Sequence, residues 1–230
     1  MTYTILLAVF GSLVAIVLAW AGTAYRHLLK VYNKYDNEFT YSNLSGREFA
    51  QLAIQKFGLK TKIGFTEKDL NDCYSPKYDT IYLSKRTAQN RSVASICVTA
   101  HELGHAVQKK NKSKLCAIQN AVFVLDVIFK FIFWPLIITG IVLLFFPQYS
   151  VYGKIMIIVA LASLTLSYIL KIVTIPVEYD ASKIAYNFLK ENNILNKNEL
   201  KDAKKVLNAA AGTYVASLFS GVLKLFRIMD

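Results

Sequence analysis

The sequence predicts a mainly α-helical membrane protein with about three transmembrane helices and a water-facing segment that carries a short strand. Three observations predict it. Of 230 residues, 54% are hydrophobic and only 18% charged, whereas a soluble domain has about a quarter of its residues charged. The apolar residues gather in runs long enough to cross a bilayer. The basic residues gather between those runs, as they do in cytoplasmic loops. A chain this apolar is not disordered. Its net charge of +12 is a topology signal and suits membrane lipid as a partner, because inner leaflets are anionic. Nucleic acid is not an expected partner, since no recognition motif or aromatic–basic interleaving is present. Cys73, Cys97 and Cys116 are too few and too irregular for a disulfide scaffold.

The first element is an anchor over 1–25. Residues 4–22 are a continuous apolar run, and no positive charge precedes it. A signal peptide carries positive charge before its apolar core. Here Arg26, Lys30 and Lys34 follow instead, so an uncleaved helix with its N-terminus outside is expected.

Residues 26–115 form the expected catalytic segment. Ser45 and Glu48 make a capping box for a helix ending near Phe57, with Gly58 as C-cap. Residues 80–84 alternate and are β-branched or aromatic at several positions, which predicts a strand. It is a candidate to hold an extended peptide by strand addition. Residues 93–110 read as a helix capped by Ser92, with Lys109 and Lys110 at its negative end.

A helical hairpin is expected over 116–175. Residues 131–146 are an uncharged core that is slightly short for a span. The helix therefore starts earlier and includes Asp126 and Lys130, spaced to pair on one face near the interface. Residues 147–150 turn, and the third apolar region runs over 151–175. Positive charge places 21–120 and 176–230 in the cytoplasm and the hairpin turn outside: residues 21–120 hold sixteen Lys and Arg, 176–230 hold eight, and the turn holds none. Residues 176–230 form the last, helical segment. Its stretch 206–223 is uncharged but rich in small residues, and is expected to lie at the interface or to cover the catalytic segment.

The chemistry lies in His101-Glu102-Leu103-Gly104-His105. Residues four apart share a helix face, so His101 and His105 can reach one metal ion. Glu102 is placed to take a proton from water at the open metal position. The pattern points to Zn²⁺ and metal-assisted hydrolysis. A catalytic zinc needs a third protein ligand. With no other histidine well placed, a carboxylate of Pro176-Val177-Glu178-Tyr179-Asp180 is expected. Glu178 is the leading candidate and Asp180 the second. Asp180 is alternatively a group that orients a ligand histidine. Tyr179 and Tyr214 are candidates to stabilise an oxyanion.

SGREFA, SVASICVTAHELGHAVQ, PVEYDAS and AKKVLNAAAGTYVA, in this order, resemble the neutral zinc metallopeptidases of bacterial membranes, the YugP-like group. The resemblance covers nearly the whole chain. It implies a zincin-like, multi-pass enzyme of the cell membrane that cleaves peptide or protein substrates, with His101, His105 and Glu178 as ligands and Glu102 as general base. One turn departs from the pattern. Asp72-Cys73-Tyr74-Ser75-Pro76 stands where the family has an Asp-His-Tyr-Asp-Pro-like sequence, so no metal role is expected for it. Two other functions fit the residues less well. An intramembrane protease would need the His101 helix inside a span, against its flanking Arg91, Lys109 and Lys110. A zinc-holding scaffold would not need Glu102.

Overall fold

The computed structural model describes residues 2–69 and 71–217. Eight helices and one three-stranded sheet are assigned among them, and the chain divides into two compact units. One unit joins 24–117 to 175–214, and the other joins 1–23, 118–174 and 215–230.

In the first unit the close of helix α1 (Thr2–Tyr35) buries Tyr32 and Tyr35. Helix α2 (Gly46–Phe57) starts on the expected capping box. Ser45 Oγ accepts from the Glu48 amide at 3.2 Å, and Glu48 Oε2 accepts from the Ser45 amide at 2.8 Å. Such a cap stabilises a helix by about 1 kcal/mol. Gly58 ends the helix at φ +59°, where a side chain would be strained.

The sheet has the order β1-β3-β2. Strand β3 (Thr80–Ser84) lies in the centre, parallel to β1 (Lys62–Thr66) and antiparallel to β2 (Cys73–Ser75). Strand 80–84 is therefore found as expected, but both its edges are occupied. It cannot add a peptide strand, and that role is corrected. Strand β1 was not legible because Gly64 interrupts its apolar pattern. The glycine is needed there, since a Cβ would sit 2.8 Å from the Tyr82 ring on β3.

Ser84 caps the short helix α3 (Lys85–Gln89), and Ser92 caps α4 (Val93–Lys110). Helix α4 is the central rod of this unit and packs against α2 and α7 (Ile175–Glu191). The core includes Phe49, Ile81, Leu83, Ile96, Leu103 and Leu189. The Phe188 ring stacks on Phe57 at 4.3 Å and meets Phe49 edge-on at 6.0 Å. Helix α8 (Lys197–Ser217) is capped by Asn196, whose side-chain oxygen accepts from the Glu199 amide at 3.0 Å. It buries Ala203, Val206 and Leu207 in the same core. Residues 206–210 thus lie on the core of the first unit. The rest of the 206–223 stretch lies outside the described side chains.

In the second unit α5 (Lys114–Leu144) and α6 (Ser150–Val173) form a hairpin through a 3₁₀ turn at Pro147–Tyr149. Two stretches, Ala117–Leu144 and Pro147–Ser167, are long and apolar enough to cross a membrane. Their large side chains point outward, Phe131 being 78% and Tyr152 62% exposed. Exposed apolar surface of this kind marks a contact with a membrane or another protein. Gly140 and Gly153 let the two backbones touch: a Cβ on Gly153 would lie 2.7 Å from the Gly140 carbonyl, as in close-packed membrane helices. Asp126 and Lys130 pair at 2.8 Å. Asp126 is buried and also accepts from the Ser167 hydroxyl on α6, so the ion pair also ties the hairpin together.

Candidate metal centre

Helix α4 displays His101 and His105 one turn apart, with ring centroids 4.9 Å apart and planes at 86°. The first turn of α7 brings Glu178 against them. The Nε2 atoms of His101 and of His105 each lie 3.2 Å from Glu178 Oε2. The Glu178 side chain is fully buried. One small residue allows this approach. A Cβ on Gly104 would stand 2.5 Å from the Ala181 carbonyl oxygen, so only glycine lets α7 come so near α4. Glycine inside a helix costs about 1 kcal/mol relative to alanine, and here it permits a contact that no larger residue would.

Each imidazole is oriented by its other nitrogen. His101 Nδ1 lies 3.0 Å from Ser182 Oγ, and that hydroxyl donates to the Leu207 carbonyl at 3.2 Å on α8. Having spent its proton, Ser182 must accept from His101 Nδ1–H. His105 Nδ1 lies 3.0 Å from Gln108 Oε1. The Gln108 amide nitrogen donates to the Val177 carbonyl at 3.0 Å and to Asp180 Oδ2 at 2.8 Å. Its oxygen therefore faces His105 Nδ1–H. With both protons on Nδ1, both Nε2 lone pairs face the carboxylate.

Two lone pairs and a carboxylate oxygen in a buried pocket repel unless a cation lies between them. A proton on an imidazole Nε2 can serve as that cation. Burial lowers the His105 pKa, but its hydrogen bond and charge interaction with Glu178 outweigh this and raise it to about 9. Burial likewise pushes the Glu178 carboxyl up, and the hydrogen bonds to His101 and His105 outweigh it and hold it at about 2. A metal ion fits the same place. These donor atoms all lie within 4.8 Å of one another. Tetrahedral Zn²⁺ with bonds of about 2.0 Å sets its ligand atoms about 3.3 Å apart, close to the separations from Glu178. Two imidazoles and a carboxylate are a recognised donor set for zinc with an open fourth position.

The other expected residues fall around this cluster. Burial pushes the Glu102 carboxyl up, the nearby His101 and His105 oppose this, and Asp72 and Glu178 add to it. Among the described residues Asp180 stands outside the cluster: its carboxylate accepts from Gln108, whose oxygen faces His105. Tyr179 is 51% exposed, and the side chain of Tyr214 lies outside the described residues. Strand β2 packs on α4, and Cys73 lies close enough to Glu102 to feel its charge. Burial, with help from Glu102 and Asp72, pushes that thiol up to about 11.

Sequence reading missed Gln108 and Ser182. The signal was present: Gln108 is three residues from His105, and Ser182 four from Glu178, spacings that share a helix face.

No solved structure matches the chain. The protein called "Putative membrane protease YugP" from Bacillus subtilis (strain 168) is 27% identical over 202 residues, covering 86% of this chain and 85% of that protein. The family model described as "Putative neutral zinc metallopeptidase" matches residues 7–230, and the chain belongs to that family.

Proposed function

We propose that this chain is a membrane-anchored zinc endopeptidase in which His101, His105 and Glu178 hold the metal and Glu102 is the general base. One observation carries the reading: two Nε2 lone pairs, each fixed by a partner on Nδ1, converge on one buried carboxylate. Zinc held there would supply Lewis acidity and a bound water of low pKa. Glu102 takes a proton from the attacking water and returns it to the leaving amine. Strand β2 is an edge strand beside Glu102, so an extended substrate would pair along its open side. With Glu178 as the third ligand, the chain is gluzincin-like.

The same reading takes 1–25 and the two helices of 116–175 as three spans. It places 26–115 and 176–230 on the cytoplasmic face, where the positive charge lies. The test is peptide hydrolysis by purified protein. Glu102→Gln should keep its zinc and lose at least a thousandfold in kcat. Wild-type turnover in that variant would refute the mechanism.

A further inference from the structure

On the first unit α1 and α8 enclose a cleft of about 480 Å³, whose lining includes none of His101, Glu102, His105 and Glu178. Its walls carry His27, Lys30 and Lys34 from α1 and Lys205 from α8, and Val31 and Ala209 give it an apolar floor. The α1 residues are spaced three and four apart, so they form one face of the helix. The ammonium groups of Lys34 and Lys205 both approach the Tyr35 ring, at 4.8 and 5.8 Å from its centre. One acid stands beside them: Asp202 pairs with Lys205 at 2.8 Å. Among the described residues neither Lys30 nor Lys34 has an ion pair, so the cleft keeps an excess of positive charge.

Its position along α1 indicates the ligand. His27 is five residues and Lys30 eight residues beyond the apolar run that ends at Gly22. At 1.5 Å per residue they lie about 7.5 and 12 Å past the end of that run. The headgroup layer is about 5–8 Å deep on each side of a bilayer, and a lysine stem reaches back several ångströms more.

We propose that this cleft binds the phosphodiester headgroup of an anionic phospholipid, with Lys30, Lys34 and Lys205 as the cationic contacts and the apolar floor under the glycerol. The proposal rests on reading 4–22 as a membrane span, and its test separates the two. Full-length detergent-purified protein is titrated with dioctanoyl phosphatidylglycerol, dioctanoyl phosphatidylcholine and inorganic phosphate. Binding is followed by native mass spectrometry. Phosphatidylglycerol should bind at least tenfold tighter than phosphatidylcholine. Each lysine is worth roughly fivefold near an anionic lipid, so combining Lys30→Gln, Lys34→Gln and Lys205→Gln should weaken binding on the order of 100-fold. Removing the same charge elsewhere, with Lys60→Gln, Lys112→Gln and Lys201→Gln, should change it less than threefold. Unchanged zinc content in both variants shows that they fold.

Equal losses in the two variants, or no preference for phosphatidylglycerol, would overturn the site. Inorganic phosphate binding as tightly as phosphatidylglycerol would assign the cleft to free phosphate and overturn the lipid. Release of the protein from membranes by alkaline carbonate would refute the span, and with it a bilayer lipid as ligand, even if dioctanoyl phosphatidylglycerol bound.

Discussion

Gly104→Ala separates the packing that builds the metal site from the stability of the fold. The added methyl would meet the Ala181 carbonyl oxygen at 2.5 Å, whereas an ordinary contact begins at 3.4 Å. Helix α7 must therefore retreat by roughly 0.9 Å at that point. Glu178 lies one turn away on the same helix and moves with it, so its 3.2 Å separations from the two imidazoles grow to about 4 Å. Ligand distances in a metal site hold to about 0.2 Å, and this change is several times larger. Overpacking costs about 1–3 kcal/mol, while alanine in a helix gains about 1 kcal/mol over glycine. The metal-free fold should lose only about 0–2 kcal/mol. Zinc affinity should fall at least 100-fold. Zinc titration against a chelator, beside thermal melts of the metal-free proteins, measures both. Wild-type affinity in Gly104→Ala would show that the close approach of α4 and α7 does not set the ligand positions.

Gln108→Leu removes the acceptor for His105 Nδ1–H and leaves Asp180 and the Val177 carbonyl without that donor. Zinc affinity should drop about 10–100-fold, with chelator competition as the readout, and an unchanged value would exclude Gln108 as a positioning residue. The pH dependence has a definite sign. His105 is raised to about 9 in the metal-free fold, against about 6.5 when unfolded. Its contribution to metal-free stability is fully present below about 6.5 and is lost as pH rises through 9. Zinc requires the neutral ring, so its affinity should climb about tenfold per pH unit over that window and level off above it. Calorimetry in buffers of different ionisation enthalpy should register the released proton, and a flat affinity from pH 6.5 to 9 would contradict the pairing with Glu178.

What could be read from the sequence was whatever depended on neighbours within a few residues. The Ser45–Glu48 box, the Ser92 cap and the shared face of His101 and His105 are all set within one helical turn. The approach of Glu178 to the histidines was reachable because a catalytic zinc wants a third protein ligand and few carboxylates lay near a helix start. The sheet was not reachable. Strand β1 pairs in parallel with a strand that starts eighteen residues later, Lys62 opposite Thr80, and β2 has only three residues. Nothing within 80–84 says which strands flank it, so its central place was hidden. The role of Gly104 was hidden for the same reason, since it depends on a helix far along the chain.

The distance in sequence between the two halves of the metal cluster has a consequence for how the protein is made. Glu178 is 77 residues beyond His101, with the whole α5–α6 hairpin between them. At a synthesis rate of about 5–20 residues per second, the ribosome adds Glu178 about 4–15 s after His101. Until then the nascent chain has two imidazoles and lacks the third ligand proposed above. A protease assembled this way stays inert while its own unfolded segments and its neighbours on the ribosome are most open to cleavage. It becomes competent only after both apolar helices have been made, so its birth is timed by its order along the chain.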